Sequence, residues 1–278
     1  MTQPATPPAS EPKSVGKPEE EKETLGSFLK FVLKLAVLVL VFRSFLFSPF
    51  NIPSESMLPG LWNGDYLLAA KWPYGFSRHS LPFDLPLIPG RIFASQPQRG
   101  DVVIFKHPVD GVDYIKRVIG LPGDTVQLVH GQVVLNGTPV PKQRIADFDL
   151  PQSPNTACAW GGYRHPSTEG QVCTYARFRE TLPGGKSYNV LDFGPTPQDD
   201  WGPAIVPQGT LFLMGDNRDN SQDSRFPALP GGGVGFVPQG DLVGRASVMM
   251  WSTDGSVVWY EPWTWFTAAR WSRIGRGI

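Results

Sequence analysis

DVVIFKHPVDGVDYIKRVIGLPGDTVQLVHGQVVLNGTPV, residues 101–140, decides the fold class. DVVIFKH, DYIKRVIG, DTVQLV and QVVLNGTPV are short β-branched or aromatic runs bounded by Gly, Pro or Asp, the pattern of strands joined by turns. The end of the stretch is the sharpest signal: Asn136-Gly137 between two apolar runs is the preferred two-residue hairpin turn. Working outward, YLLAAKW (66–72), GTLFLMGD (209–216), DLVGRASVMMW (241–251) and GSVVWYE (255–261) read as further strands. No helical pattern of 10 to 15 residues separates these runs, so a doubly wound parallel sheet is excluded. Thirty Gly and 29 Pro in 278 residues argue against a helical bundle as well, because neither residue is tolerated inside long helices. The expectation is a mainly β chain of antiparallel sheets or small barrels. Residues 146–209, richer in Pro and Gly, are expected to form an irregular insertion or a second β lobe.

Charge and cysteine content remove other classes. Twenty-five Lys and Arg balance 25 Asp and Glu, so no net field attracts nucleic acid. Two cysteines exclude a zinc array or a disulfide scaffold. Residues 1–24 contain no aromatic residue and cannot bury a core, and read as a disordered tail. From there the composition inverts: LGSFLKFVLKLAVLVLVFRSFLFSPF (25–50) is apolar apart from Lys30, Lys34 and Arg43. As a helix, residues 27–47 span roughly 30 Å, enough to cross a bilayer with the charged heads at the interfaces. A cleaved secretory signal has the same charge order, but no small-x-small site follows Arg43; a buried core helix needs a polar stripe that this segment lacks. Residues 25–48 are therefore expected to be a membrane anchor. Lys13, Lys17, Lys22, Lys30 and Lys34 lie on its N-terminal side and no Lys or Arg follows Arg43 until Lys71, which puts the N-terminus in the cytoplasm and residues 49–278 outside.

Candidate chemistry lies in three segments. Elsewhere the motifs fail: LPGGKSY (182–188) has Glu180 where a phosphate loop needs Gly, and His79, His107, His130 and His165 have no metal or protease spacing. In PFNIPSESMLPGLWNGDYL (49–67), Pro53 and Pro59 bracket Ser54, Glu55 and Ser56, read either as a turn into a serine-capped helix or as a rigid nucleophile loop just past the bilayer. In DYIKRVIGLPGDTV (113–126), Lys116 sits between Tyr114 and Val118 on one strand face. Desolvation there lowers an amine's pKa and makes it a general base; the alternative is a surface lysine beside an exposed Arg117. MGDNRDNSQDSRFP (214–227) lacks the central Gly and late Glu of a calcium loop, and reads as a solvated loop or as an ion-pair network that fixes a catalytic group.

Taken in order, SESM after an apolar segment, YIKRVIGLPGD and GDNRDNSQDSR resemble the signature boxes of the bacterial type I signal peptidases, membrane-bound Ser/Lys proteases. RGDVVIF (99–105), GDYLLAAKWPYG (64–75) and LVGRA (242–246) extend the resemblance over most of residues 43–250. The chain departs at Gly60, where the family usually has Thr, and in the Gly-rich stretch 230–235. The resemblance implies Ser56 as nucleophile, Lys116 as general base, and Ser54 with the Ser56 N–H as oxyanion donors. It further implies that Ser221 orients Lys116, and that Asp223 and Arg225 form a supporting ion pair. Phe50, Ile52, Pro53, Met57, Tyr114 and Ile115 would line small pockets for the Ala-x-Ala end of a signal peptide. The implied function is removal of signal peptides from exported preproteins at the outer, periplasmic face of a bacterial cytoplasmic (inner) membrane. The implied partners are those peptides and membrane lipids, with no nucleic acid, and no metal or organic cofactor is called for. Two other readings share features with this one: a self-cleaving repressor-type Ser/Lys protease, which needs a DNA-binding N-terminal domain, and a non-enzymatic envelope β module.

Placement outside the membrane predicts that Cys158 and Cys173 pair, the alternative being two buried thiols. Trp251, Trp259, Trp263, Trp265 and Trp271 with Arg270, Arg273 and Arg276 have the composition of an interfacial anchor, or of aromatics packed on the outer sheet.

Overall fold

The computed structural model describes residues 25–168 and 170–278, so the tail expected over residues 1–24 lies outside the described part. Leu25–Val41 is an α-helix (α1), and Phe42–Leu46 continues it as a π-helical turn. Leu25–Leu46 is a helical span of 22 residues with a mean hydropathy of 2.3 over its 18-residue window, and is long and apolar enough to cross a membrane. No residue of α1 is buried.

Residues 40–278 form a separate unit whose regular structure is mainly β. In chain order its strands are β1 (Phe47–Asn51), β2 (Asp65–Ala70), β3 (Phe76–Ser77), β4 (Arg91–Ile92), β5 (Val102–Lys106), β6 (Asp113–Gly120), β7 (Thr125–Val129), β8 (Gln132–Leu135) and β9 (Thr138–Pro139). They continue with β10 (Lys142–Pro151), β11 (Tyr163–Ser167), β12 (Gly170–Thr181), β13 (Ser187–Leu191), β14 (Trp201–Ile205), β15 (Thr210–Met214), β16 (Val237–Pro238) and β17 (Leu242–Ser252). A seven-stranded antiparallel sheet in the order β1-β2-β17-β5-β6-β15-β16 is the main element, curled into a half-barrel. The mainly β, antiparallel reading holds, and so does the hairpin: Asn136 and Gly137 have φ of 52° and 78°, the left-handed pair a type I′ turn needs. Asn136 also locks the turn through its side chain, accepting from Thr125 N–H at 2.8 Å and donating to Asp124 at 2.9 Å.

β5 is buried on both faces, which explains its apolar run VVIF, and β6 is buried from Ile115 onward apart from Arg117. Ile104 and Ile115 pack with Ile52, Leu61, Leu67 and Met249, whereas Val103, Phe105 and Val118 pack with Tyr74, Leu213 and Val237. One reading changes: GSVVWYE forms no strand; Thr264 Oγ1 accepts from the Val258 N–H at 3.0 Å, and Pro262 opens a short helix, α2 (Pro262–Thr267). In the segment expected to be an irregular insertion or a second β lobe, β10, β12 and β11 form a sheet with β13 on β12, and β14 joins β7, β8 and β9 in another. On β12, Cys173 and Tyr175 share one face and pack into a small core with Leu150 and Leu191.

Cys158 and Cys173 are bonded to each other, with their α-carbons 5.3 Å apart, and close a loop of 15 residues on that core. Such a loop is worth about 3 kcal/mol in the chain-entropy treatment. Unfolded protein should accept two equivalents of a thiol reagent only after reduction. Equal labelling without reductant would mean that the bond does not form.

Candidate active site

Ser56 lies on a turn between β1 and β2 that is fixed from beneath and from the side. Ile52, Met57 and Leu58 are buried anchors, Asn217 N–H donates to the Ser56 carbonyl at 3.0 Å, and Asn217 Nδ2 donates to the Glu55 carbonyl at 3.2 Å. Residues 54–60 remain a turn, so the serine-capped helix does not form.

Lys116 reaches this turn from the middle of β6. Its Nζ is 2.8 Å from Ser56 Oγ, and the residue is 4% exposed. Burial lowers its pKa to about 8, against Asp223 and Asp216, which raise it, and together with Arg225, which lowers it. The Tyr114 ring lies 5.7 Å from Nζ. Lys71 is also buried and lowered to about 8, chiefly by desolvation, but its amine donates to the Ser80 backbone carbonyl, not to a hydroxyl. The surface reading of Arg117 fails: its guanidinium holds Asp216 at 2.6 and 2.7 Å and donates to the Gly100 carbonyl.

The 214–227 segment is a buried network. Asp223 takes Arg225 Nε at 2.9 Å and Nη2 at 3.0 Å, and also accepts from the Gly215 N–H at 3.0 Å. Burial alone would raise the Asp223 pKa, but the Arg225 guanidinium and these N–H groups hold it below the usual carboxylate value. Ser221 lines the same cavity as Ser56 and Lys116, yet its Oγ is buried without a hydrogen-bond partner, so the Ser221–Lys116 bond implied by the resemblance is not made in this structure. Ser54 Oγ is 3.4 Å from Ser56 Oγ.

The cavity holds about 460 Å³. Phe50, Ile52, Pro53, Tyr114 and Ile115 line it, as the resemblance implies, but Met57 does not: it is fully buried in the core beneath the turn. Ile104, Val112, Gln198, Asp219 and Phe226 complete the walls. Ile104 carried a signal in its strand pattern. Asp219 lies in the polar 214–227 segment that the sequence singles out, whereas Gln198 carried no signal. No histidine lines the cavity: His79 pairs with Asp84 at 3.0 Å, and His107 Nε2 bonds the Gly233 carbonyl at 3.1 Å.

Gly60 has room for a side chain. A Cβ there would meet Asp216 Oδ2 and the Met57 carbonyl at 3.5 Å, ordinary contact distances. Gly60→Ala should therefore stabilise the fold by about 0.5 kcal/mol by restricting the unfolded chain. Cleavage should stay within twofold; a large loss in thermal stability would reveal a steric demand that the geometry does not show.

This buried serine–amine pair can be set against known proteins. Residues 25–251 match the family described as signal peptidase, peptidase S26. Signal peptidase I of Rickettsia massiliae (strain Mtu5) is 35% identical over 250 residues, covering 86% of this chain and 82% of the relative. That of Rickettsia canadensis (strain McKiel) is 33% identical over 255 residues, 88% of this chain and 86% of the relative. A crystal structure of a signal peptidase I from Enterococcus faecalis V583 aligns over 55% of this chain and 98% of its own at 24% identity, with a TM-score of 0.29, too slight a likeness to carry an argument. With the family matched from the apolar helix through Trp251, and sequence shared over more than four-fifths of both lengths with these relatives, the chain belongs to the signal peptidase family, peptidase S26.

Proposed function

We propose that this protein is a membrane-anchored serine endopeptidase that removes N-terminal signal peptides from exported preproteins with a Ser56/Lys116 dyad. The observation that carries the reading is the 2.8 Å contact between a buried lysine amine and a serine hydroxyl in a cavity without histidine. A serine needs a base, and a lysine serves only when it is neutral, which the desolvated site favours.

In the proposed reaction the neutral Lys116 takes the Ser56 Oγ proton as Oγ attacks the scissile carbonyl. Ser54 Oγ and the Ser56 N–H receive the oxyanion. Lys116 then protonates the leaving amine; in deacylation a water attacks the ester as it gives a proton to Lys116, which passes it to the departing Ser56 Oγ, so that the hydroxyl and the neutral amine are both restored. Phe50, Ile52, Pro53, Tyr114 and Ile115 offer an apolar wall for small side chains before the cleaved bond. Residues 25–48 would anchor the enzyme in the bacterial inner membrane with the N-terminus cytoplasmic and residues 49–278, including the 146–209 lobe, outside. Trp259, Trp263 and Phe266, which are 78%, 63% and 64% exposed, suit contact with lipid. Arg270 and Arg273 do not serve there: Arg273 pairs with buried Asp65, and Arg270 holds Asn63, Ser153 and Asn155.

The test is full-length protein in detergent mixed with a preprotein whose signal peptide ends in Ala-x-Ala. Cleavage after the second Ala is expected, falling on the order of 10³-fold or more in Ser56→Ala. Undiminished cleavage by Ser56→Ala would reject the dyad.

A further inference from the structure

The sheet formed by β10–β13 has no role in the reaction just described, yet it sends one carboxylate into the polar network behind Lys116. Glu180, on β12, is 1% exposed and grips Arg218, 3% exposed, through both oxygens at 2.5 Å. Tyr188, on the paired strand β13, donates its hydroxyl to the same carboxylate at 2.9 Å. A buried ion pair is poor value for stability alone, since well-packed apolar residues would often do as well. Its position suggests another use.

Arg218 belongs to the segment that carries Ser221 and Asp223. Its Nε donates to the Gly215 carbonyl at 3.2 Å, and its own carbonyl accepts from Arg225 Nη2. Gly215 N–H in turn donates to Asp223, and a Cβ on Gly215 would fall 2.2 Å from Ser221 Oγ, so these backbones pack without slack. The main chain repeats the connection. Leu191, at the end of β13, donates to the Asp216 carbonyl and accepts from the Arg218 N–H, both at 2.9 Å. Finally, the Arg117 guanidinium, next in sequence to Lys116 and bonded to Asp216, lies 4.3 Å from the centre of the Tyr188 ring.

We propose that Glu180, supported by Tyr188, is a positioning residue: through Arg218 it holds the Gly215–Arg225 loop, which carries Asp216, Ser221 and Asp223, in register against Lys116. The role rests on Lys116 being the base, as argued above. The charged and titratable groups bearing on Lys116 are Asp216, Asp223 and Arg225, with the Tyr114 ring alongside. Glu180→Gln loosens the hold on Arg218 and lets that loop draw away, so that Lys116 loses part of the attraction of Asp216 and Asp223 and its titration moves to lower pH.

The experiment uses the full-length protein in detergent and three variants: Glu180→Gln, Tyr188→Phe and the double variant Glu180→Gln/Arg218→Gln. One readout is the pH profile of preprotein cleavage. The other does not depend on cleavage: the pH dependence of Lys116 acylation by an amine reagent, followed by peptide mass spectrometry. Glu180→Gln should lower kcat roughly tenfold or more with KM within threefold. Its acid limb and its labelling midpoint should both fall by about half a pH unit. The double variant, in which the link stays broken, should remain below wild type in both kcat and midpoint, and Tyr188→Phe should lower kcat a few-fold. The proposal is overturned if the folded variants change only in thermal stability, with kcat and midpoint unmoved. It is equally overturned if Glu180→Gln does not fold while Tyr188→Phe and the double variant match wild type in both readouts. Should wild type cleave nothing while the labelling midpoint still moves, the peptidase reading fails and the positioning role stands.

Discussion

Lys116→Met should end cleavage and make the protein harder to unfold, with the gain larger at pH 6 than at pH 10. In the folded state the lysine pKa is lowered from 10.5 to about 8 by burial, partly countered by Asp223 and Asp216. A group with a depressed lysine pKa is penalised wherever the unfolded chain is protonated and the folded one resists it. The penalty is full below pH 8 and disappears as pH rises through the folded pKa toward the unfolded one. At pH 6 the cost is about 3 kcal/mol, and at pH 10 about 1 kcal/mol. Methionine fills similar volume without charge, and the carboxylates left behind keep their partners, Asp223 with Arg225 and Asp216 with Arg117. The lost contact with Ser56 Oγ offsets about 1 kcal/mol. The expected net gain is about 2 kcal/mol at pH 6 and near zero at pH 10, a rise of about 5 °C in Tm at the lower pH. A variant equally destabilised at both values, by thermal melts in detergent, would make Lys116 an ordinary ion-pair member.

Asp223→Asn should do the reverse to stability. Asp223 is fully buried, and Arg225 would be left as a buried cation with one nitrogen, Nη1, already lacking a partner. Breaking such a pair from one side costs about 3–5 kcal/mol, far more than the pair contributes when compared with an apolar replacement. The folded-state pKa of Asp223 is depressed, so this contribution is present above the ordinary carboxylate pKa and is lost as pH falls through the lower folded value. The wild-type advantage in urea denaturation should thus be flat from pH 5 to 9 and shrink only in strong acid. Asp223 is also the first of the charges that raise the Lys116 pKa, so the variant's remaining activity should extend to lower pH. An advantage below about 1 kcal/mol would mean that water reaches the pair.

Much of the main sheet is legible in sequence because β5 and β15 are covered on both faces and read as apolar runs between turn residues, while β6 and β17 are rich in β-branched and other apolar residues despite Lys116, Arg117 and Arg245. β10 and β12 escape that reading: they present one polar face and carry Arg144, Arg177 and Arg179 within their spans. GSVVWYE has strand composition but no partner strand, and pairing, not propensity, makes a strand. In the site, Ser56 and Lys116 stand out locally, one by its Pro-bracketed turn and one by its apolar neighbours. Met57 adjoins the serine in sequence but turns into the core, a choice set by packing against Leu67 and Met249 that no spacing reveals. Glu180, Gln198 and Asp219 reach the cavity or its support only because separate loops and sheets converge. Arg270 and Arg273 look like lipid-facing cations in a Trp-rich tail, yet their partners lie more than 100 residues away along the chain.

The central claim is that a lysine made neutral by burial activates Ser56. Its most direct test is the pH dependence of kcat/KM for preprotein cleavage, measured on wild type and Lys116→Met. The account requires an acid limb with a midpoint at about 8 in wild type and no turnover above background in the variant at any pH. A limb near 6.5, where histidine titrates, or measurable turnover by Lys116→Met, would contradict it.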